Sequence, residues 1–231
     1  MRSIRLRVIV YNVRGFRDGL ERLVRLVGHF EPDVLLLNET GGRRRLRRFA
    51  DALGMAVATD PWSPFRRRVK DAVLVRPPWR IVEHEQRRFE GGPWLYPRGA
   101  LIATLGHGGA RLLAISMHLG LHPRERLADA KALATLVDSI GAPIVAGGDL
   151  NEKPDGRAVG FLSGRFRDAW LLGGDADGET FPADEPTARI DYLFVSEGIV
   201  VERLLVPPGP DAREASDHRP LVAELTLPEA K

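Results

Sequence analysis

The feature that most constrains the fold of this chain is a series of short apolar segments, each of strand length, with few helical patterns between them. Buried strands are predicted at residues 4–10 and 34–38, with an amphipathic helix at residues 19–30 between them. Further strands are predicted at residues 55–58, 72–76, 81–88, 99–105, 111–116, 143–146, 190–195, 199–205 and 221–225. Further helices are predicted at residues 43–53 and 124–140, and a hairpin turn at residues 106–109.

The order of these segments decides between two fold classes. A doubly wound parallel sheet needs a crossover helix between most consecutive strands, whereas here many strands follow one another directly. We therefore predict an α/β fold of the α+β type, in which two mixed sheets pack face to face with helices outside. Because the chain has no internal repeat and no long linker, residues 1–231 are expected to form one domain.

The chain of 231 residues contains no cysteine, which excludes disulfides, thiolate chemistry and cysteine-based zinc sites. A metal would have to be bound by carboxylates, amides or histidines, which favour Mg²⁺, with Mn²⁺ or Ca²⁺ as alternatives. The first predicted strand carries Arg5 and Arg7 instead of an apolar stretch, so it is unlike a secretory signal. No segment approaches the roughly 18 apolar residues of a membrane-spanning helix. A cytoplasmic, monomeric enzyme is therefore expected.

Basic residues are clustered, although the net charge of the chain is only +3. They form runs at residues 43–48, 66–70 and 87–88. Two interpretations stay open, namely a track for a polyanionic substrate and the solvated face of an arginine-rich protein. The runs lack the interleaved aromatic residues that a groove for single-stranded nucleic acid would carry.

Asp149 and Asn151 follow two glycines at the end of the buried segment 143–146. Glycines lack a Cβ and let backbone or ligand approach closely. On an extended segment, residues two apart point in the same direction. A carboxylate and an amide placed together suit a divalent cation beside a phosphate, or a water held for attack. The alternative is an Asx turn that only ends the strand.

Polar side chains also stand at the ends of other predicted core strands. They are Asn12, Glu39, His118, Asp191 and the neighbours Asp217 and His218. Each alone has a structural explanation, such as a turn cap, an ion pair with a nearby arginine, or a hydrogen-bonded core histidine. Because strand ends along one rim of a sandwich can converge on a single cleft, we predict that the set forms one active site.

The residue types in this set suit the hydrolysis of a phosphoester. Glu39 offers a carboxylate to Mg²⁺, and Asp149 can orient or deprotonate an attacking water. Asp191 can fix the tautomer of His218 and raise its basicity. Hydrogen bonds to the phosphate oxygens can come from Asn12, Asn151 and His118.

In this order, the residues resemble the endonuclease/exonuclease/phosphatase superfamily of Mg²⁺-dependent phosphoesterases. That superfamily includes pancreatic-type deoxyribonucleases, apurinic endonucleases, inositol polyphosphate 5-phosphatases and neutral sphingomyelinases. The resemblance extends over residues 8–225 and rests on six ordered segments, residues 11–15, 37–39, 116–119, 148–151, 189–192 and 216–220. It implies a four-layer α/β/β/α sandwich with the site at one rim.

The resemblance also implies a role for each residue. Glu39 would bind the metal, and Asp217 would bind it too or assist His218. With Asp191 behind it, His218 would be the general base or a phosphate-stabilising imidazolium, and the division of the base role with Asp149 stays open. The other catalytic and phosphate-contacting residues would be Asn12, His118, Asp149 and Asn151. Apurinic endonucleases carry an acidic residue where this chain has Arg14, which suits a phosphate contact as in the deoxyribonucleases.

Three functions follow from this interpretation. The leading one is a nuclease that cleaves the phosphodiester bonds of DNA or RNA. The second is a hydrolase of a small phosphoester or a phospholipid headgroup, with Trp94 and Tyr96 of the apolar loop 90–98 lining its pocket. The third, a non-catalytic binding module of the same fold, is disfavoured because a chemically competent residue occupies every expected catalytic position.

Overall fold

Twelve β-strands form two sheets in the part of the chain that the computed structural model describes, residues 3–61, 68–90, 97–137 and 141–228. The strands of the first sheet are β1 (Ile4–Asn12), β2 (Val34–Asn38), β3 (Ala56–Thr59), β4 (Ala72–Val75), β11 (Val200–Leu205) and β12 (Leu221–Leu227). Their spatial order is β11–β12–β1–β2–β4–β3. The sheet is mixed, because β1 and β2 are parallel while the other neighbouring strands are antiparallel.

The second sheet repeats this plan. Its strands are β5 (Arg80–Arg88), β6 (Gly99–His107), β7 (Ala110–His118), β8 (Ile144–Asp149), β9 (Arg167–Asp168) and β10 (Asp191–Val195). Their spatial order is β5–β6–β7–β8–β10–β9. Here β7 and β8 are parallel, and the remaining pairs are antiparallel.

Helices cover the outer faces and connect the parallel strands. They are α1 (Leu20–His29), α2 (Arg43–Leu53), α3 (Pro123–Val137), α4 (Arg157–Ser163), α5 (Trp170–Gly173) and α6 (Pro210–Glu214). Parallel neighbours need a crossover, and α1 serves β1–β2 while α3 serves β7–β8. Within the described ranges, no helix has the length and apolar character needed to span a membrane.

Three apolar layers confirm the predicted four-layer α/β/β/α sandwich. Along β1, Val10 belongs to the apolar layer that also contains Val145 of the opposite sheet, while its neighbour Ile9 belongs to the layer that contains Phe49 of α2. The outer face of the second sheet packs in the same way against Leu133 of α3. These strands are buried on both faces, which explains why their sequences are continuous apolar runs and do not alternate with polar residues.

The predicted and observed elements differ mainly at their ends. β1 and β7 run on to Asn12 and His118, because pairing with neighbouring strands extends them beyond their apolar runs. The turn between β6 and β7 consists of Gly108 and Gly109 alone. Helix α3 is described as far as Val137, and the remainder of the predicted helix, residues 138–140, lies outside the described residues.

Candidate active site

One rim of the sandwich collects the ends of five strands. β1 and β2 end side by side, with Asn12 paired to Asn38. β7 and β8 end in the same way, with His118 paired to Asp149. β10 begins here because it runs antiparallel to β8, so Asp191 lies opposite Asp149. The predicted site residues on these strands therefore lie together at one edge of the structure.

Asp149 is the centre of the hydrogen-bond network at this rim. Its side chain is buried, and its Oδ2 accepts a hydrogen bond from Asn12 Nδ2 at 3.1 Å. The same oxygen lies 3.3 Å from His118 Nε2 and 3.7 Å from His218 Nε2. Groups from both sheets and from the segment before β12 thus meet at one carboxylate.

The charge of Asp149 follows from these neighbours. Burial by itself would raise the pKa of Asp149, but the nearby rings of His118 and His218 hold it well below its usual range. The backbone N–H of Asn151 also donates to this carboxylate and favours its ionised form. Asp149 is therefore an anion at neutral pH, and its charge keeps the surrounding donors oriented.

His218 is held on its other side by Asp191. Its Nδ1 lies 2.8 Å from Asp191 Oδ2, which also accepts a hydrogen bond from Thr180 Oγ1 at 2.6 Å. Burial would lower the pKa of His218, but the carboxylates of Asp191, Asp149 and Asp217 raise it to about 10. The ring is thus an imidazolium at neutral pH, with its Nε2 directed towards the carboxylate of Asp149.

The two glycines before Asp149 allow close packing of the backbone. A Cβ on Gly147 would lie 2.7 Å from the carbonyl oxygen of Tyr192 on β10. A Cβ on Gly148, whose φ is 152°, would lie 1.8 Å from the carbonyl oxygen of Met117 on β7. The glycines therefore let β8 lie between its neighbours and bring Asp149 to the rim.

Asn151 is not on an extended segment, contrary to the sequence-based expectation. Its φ is 52°, because the chain turns directly after β8, and its backbone N–H donates to Asp149 Oδ1 at 2.9 Å. Its side-chain Nδ2 donates to the carbonyl oxygen of Leu119 at 3.1 Å. The Asx turn is therefore present, and it leaves Asp149 Oδ2 facing the network described above.

Asn38 is a site residue to which the sequence interpretation gave no role. Its Oδ1 accepts a hydrogen bond from the backbone N–H of Asp149 at 2.9 Å. Its Nδ2 donates to Asp71 Oδ1 at 2.9 Å and to the carbonyl oxygen of Met117 at 3.0 Å. The side chain thus joins the two sheets directly beneath Asp149. The sequence did contain a signal for this role, namely an amide side chain at the end of an otherwise apolar strand.

Arg98 is a second residue that the sequence interpretation did not identify. Its Nη1 lies 2.8 Å from Nδ1 and 2.7 Å from Nε2 of His118. Because both ring nitrogens are almost equally distant, the guanidinium lies over the ring and leaves Nε2 directed at Asp149. The preceding loop residues Trp94 and Tyr96, considered above as a pocket lining, lie outside the described residues.

The two predicted metal ligands differ in their surroundings. The half-buried carboxylate of Glu39 makes no hydrogen bond or ion pair within the described part of the chain. The carboxylate of Asp217 lies 3.1 Å from Arg14 Nε and 3.3 Å from Ser216 Oγ. Glu39 is a free, hard oxygen donor that fits Mg²⁺, whereas Asp217 would have to release Arg14 to bind a metal.

Asp149, Asp191 and His218 also have the spacing of a metal site, since their ligand atoms lie within 4.8 Å of one another. The hydrogen bonds in this group argue for a different use. His218 donates from Nδ1 to Asp191 and, as an imidazolium, is also protonated at Nε2, so neither ring nitrogen has a lone pair for a metal. Glu39 is therefore the better candidate ligand.

Residues at this rim adopt unusual backbone conformations. Arg14, Glu39 and Asn151 have φ values of 45°, 54° and 52°, and they belong to a group of seven non-glycine residues with positive φ among the described ranges. Such conformations cost energy and tend to persist where function requires a particular side-chain position. The backbone at the rim is consistent with a functional site.

Many solved structures match this chain in fold, among them the following three. An endonuclease/exonuclease/phosphatase from Bacteroides vulgatus has a TM-score of 0.86 and 17% identity, covering 97% of this chain and 100% of that one. Mannosyl-6-phosphatase Bt3783 of Bacteroides thetaiotaomicron VPI-5482 has a TM-score of 0.81 and 21% identity, covering 95% of this chain and 99% of that one. D. rerio TDP2 in complex with a single strand DNA product has a TM-score of 0.79 and 18% identity, covering 96% of this chain and 98% of that one.

Comparison of sequences identifies the family. No curated protein matches the chain in sequence. The sequence profile of the Endonuclease/Exonuclease/phosphatase family, however, matches residues 9–218, which is most of the chain. Its boundaries enclose every predicted site residue, from Asn12 to His218. The chain therefore belongs to the endonuclease/exonuclease/phosphatase family of metal-dependent phosphoesterases.

Proposed function

We propose that the protein is a Mg²⁺-dependent phosphodiester hydrolase that acts on DNA or RNA as a nuclease. The observation that carries this proposal is the buried carboxylate of Asp149, which is surrounded by hydrogen-bond donors and lies at the same rim as the carboxylate of Glu39, which has no partner among the described residues. The clustered arginines beside Glu39 favour a polyanionic substrate. The similarity to D. rerio TDP2 in complex with a single strand DNA product agrees with it.

In the proposed mechanism, one group of residues acts on the attacking water and another on the phosphate. Asp149 orients the attacking water, because its ionised Oδ2 is an acceptor held in a fixed position by Asn12. As the water oxygen bonds to phosphorus, its proton passes to Asp149, and the bond between phosphorus and the leaving ester oxygen breaks. Negative charge builds up on the phosphate oxygens and on the leaving oxygen, which then takes a proton from solvent. His118 and the imidazolium of His218 stabilise that charge by donating hydrogen bonds. Bound Mg²⁺, held by Glu39, would polarise a phosphoryl oxygen.

Three further residues position this machinery. Asp191 fixes the ring of His218 through the 2.8 Å contact with Nδ1. Asn151 holds the turn after β8. Arg14 would contact a phosphate of the substrate when its ion pair with Asp217 opens.

The test is hydrolysis in the presence of Mg²⁺ of plasmid DNA, single-stranded DNA, RNA and bis-p-nitrophenyl phosphate in parallel. Nicking of a nucleic acid is expected, and Asp149→Asn or His218→Ala should lower kcat by about 10²–10⁴-fold. The matched controls are Asp51→Asn and His84→Ala, which change exposed residues away from the rim and should leave kcat unaltered. Wild-type rates in both site variants would contradict these assignments.

A second candidate is a hydrolase of a small phosphoester or a phospholipid headgroup. The specific observation in its favour is the similarity to mannosyl-6-phosphatase Bt3783 over almost the whole of both chains. Turnover of sugar phosphates, sphingomyelin or bis-p-nitrophenyl phosphate, with no cut in any nucleic acid, would replace the nuclease proposal with this one.

A further inference from the structure

A cavity of about 620 Å³ opens beside the candidate active site, with Glu39 and His118 in its wall. We call it the basic pocket. Among the described residues that line it, every charged group apart from Glu39 is a cation. Six of them are Arg14, Arg17, Arg44, Arg45, Lys70 and Arg98. Positive charges converge here from four separate segments of the chain, so their meeting is a property of the fold.

The cations of the basic pocket differ in how far their charge is already compensated. A further lining residue, Arg68, has its Nε 2.6 Å from Asp60 Oδ1, and so belongs to the scaffold. By contrast, Arg17, Arg44 and Lys70 are exposed and make no side-chain hydrogen bond or ion pair within the described residues. Their charges are free to bind an anion.

Helix α2 begins at the basic pocket and adds to this potential. Gly42 precedes the helix and offers no side-chain cap, and residues 43–45 are all arginine. A helix N-terminus carries partial positive charge and ordinarily has acidic residues in its first turn. Arginines at this end raise the electrostatic energy of the unliganded protein, and an anion bound between them would lower it.

We propose that the basic pocket binds a second phosphate of the substrate while the first is hydrolysed at Asp149. The inference rests on the proposed function, and it narrows the substrate to phosphoesters that carry at least one further phosphate. Two features of the geometry support it. Glu39 and His118 belong both to the pocket lining and to the catalytic rim. Arg98 also lines the pocket, and it contacts the ring of His118. Arginine forks match phosphate oxygens in geometry as well as in charge.

The first test compares substrates that differ by one phosphate. Thymidylyl-thymidine, with a single diester, is compared with the same dinucleotide carrying a further phosphate at its 5′ or its 3′ end. The wild-type protein should have a higher kcat/KM for one of the two phosphorylated forms. Changing Arg44→Gln together with Lys70→Gln should reduce this preference roughly tenfold, the loss expected for removed charge-assisted contacts.

The matched control is Arg47→Gln together with Arg48→Gln. These residues are exposed on α2 and lie outside the pocket lining. Their substitution changes the net charge by the same amount as the pocket variant. The control should keep the wild-type preference. Equal losses in the two double variants would mean that only the overall charge matters, and this would overturn the proposal. An unchanged preference in Arg44→Gln with Lys70→Gln would also overturn it.

A second measurement does not depend on turnover. Inorganic pyrophosphate is titrated calorimetrically into each protein in metal-free buffer. Binding should be weakened about tenfold or more in the pocket variant and unchanged in the control. Identical affinities in all three proteins would overturn the proposal. A wild-type protein that hydrolyses no phosphoester would contradict the proposed function instead, and the titration would still decide whether the basic pocket binds phosphate.

Discussion

Replacing Asn38 with alanine tests how the two sheets are held together beneath the active site. Asn38 belongs to β2 in the first sheet, whereas two of its partners, the backbone N–H of Asp149 and the carbonyl oxygen of Met117, belong to the second. A third partner, Asp71, is completely buried. All three groups belong to buried residues, so the variant should leave them without hydrogen bonds.

The expected loss of stability can be worked out from these three contacts. A buried polar group that loses its partner costs about 1–3 kcal/mol. Burial raises the pKa of Asp71 well above its usual range and so favours its neutral form, for which the cost lies at the lower end of that scale. We expect a loss of about 3–5 kcal/mol in the free energy of unfolding, which for a chain of this size lowers Tm by about 6–20 °C.

Urea denaturation of wild type and Asn38→Ala measures the loss directly, and kcat at a temperature well below the transition measures the effect on the site. The rate should fall as well, because the Asp149 backbone loses its anchor. Ser116→Ala is the control at the same interface, since Ser116 Oγ donates to the carbonyl oxygen of Leu37 at 2.9 Å and accepts only a longer hydrogen bond, of 3.3 Å, from Asn38 Nδ2. That control should cost about 1 kcal/mol. A loss below about 1 kcal/mol in Asn38→Ala, with unchanged kcat, would refute the reasoning.

Three other predictions concern single side chains. Asp191→Asn removes the charge that orients His218 and should lower kcat by about 10²–10⁴-fold with the fold intact by circular dichroism; a smaller change would deny Asp191 its positioning role. Mg²⁺ should raise the Tm of the wild type, and Glu39→Gln should need at least about tenfold more Mg²⁺ for the same rise; equal titrations would exclude Glu39 as a ligand. Burial raises the pKa of Asp129 to about 6, against about 3.9 in an unfolded chain. The folded protein therefore favours the protonated form of Asp129. Ionisation of Asp129 lowers the free energy of unfolding, and this loss is absent below about pH 4 and complete above about pH 6. Asp129→Asn should abolish this loss of about 2–3 kcal/mol in urea titrations from pH 4 to 8; parallel curves for the two proteins would contradict it.

The strands were predictable because burial on both faces leaves a strong local signal. β2 is observed at the predicted bounds, Val34–Asn38, since all five of its residues are buried and a polar break follows. Strand ends were less accurate, because pairing with a neighbour decides where a strand stops. Arg167–Asp168 and Trp170–Gly173 were missed, since two to four residues are too few to display a period.

The meeting of side chains from distant segments was only partly predictable. Polar residues at strand ends indicated one rim, and the structure brings Asn12, His118, Asp149 and His218 together there. The roles of Asn38 and of the basic pocket depend on which sheet faces which, and on where α2 begins relative to Glu39. No local pattern carries that information, because the contacts span tens of residues of sequence.

Asp149 shows why a structural and a catalytic explanation need not exclude each other. From the sequence, an Asx turn and a catalytic carboxylate were alternatives for residues 147–151. In the structure, Oδ1 of Asp149 accepts the backbone hydrogen bond of the turn, and Oδ2 faces Asn12 and His118. A carboxylate with one oxygen committed to the backbone cannot rotate away, and such restraint is what positioning a water or a phosphate requires. The turn is therefore the means by which the rim holds its central anion in place.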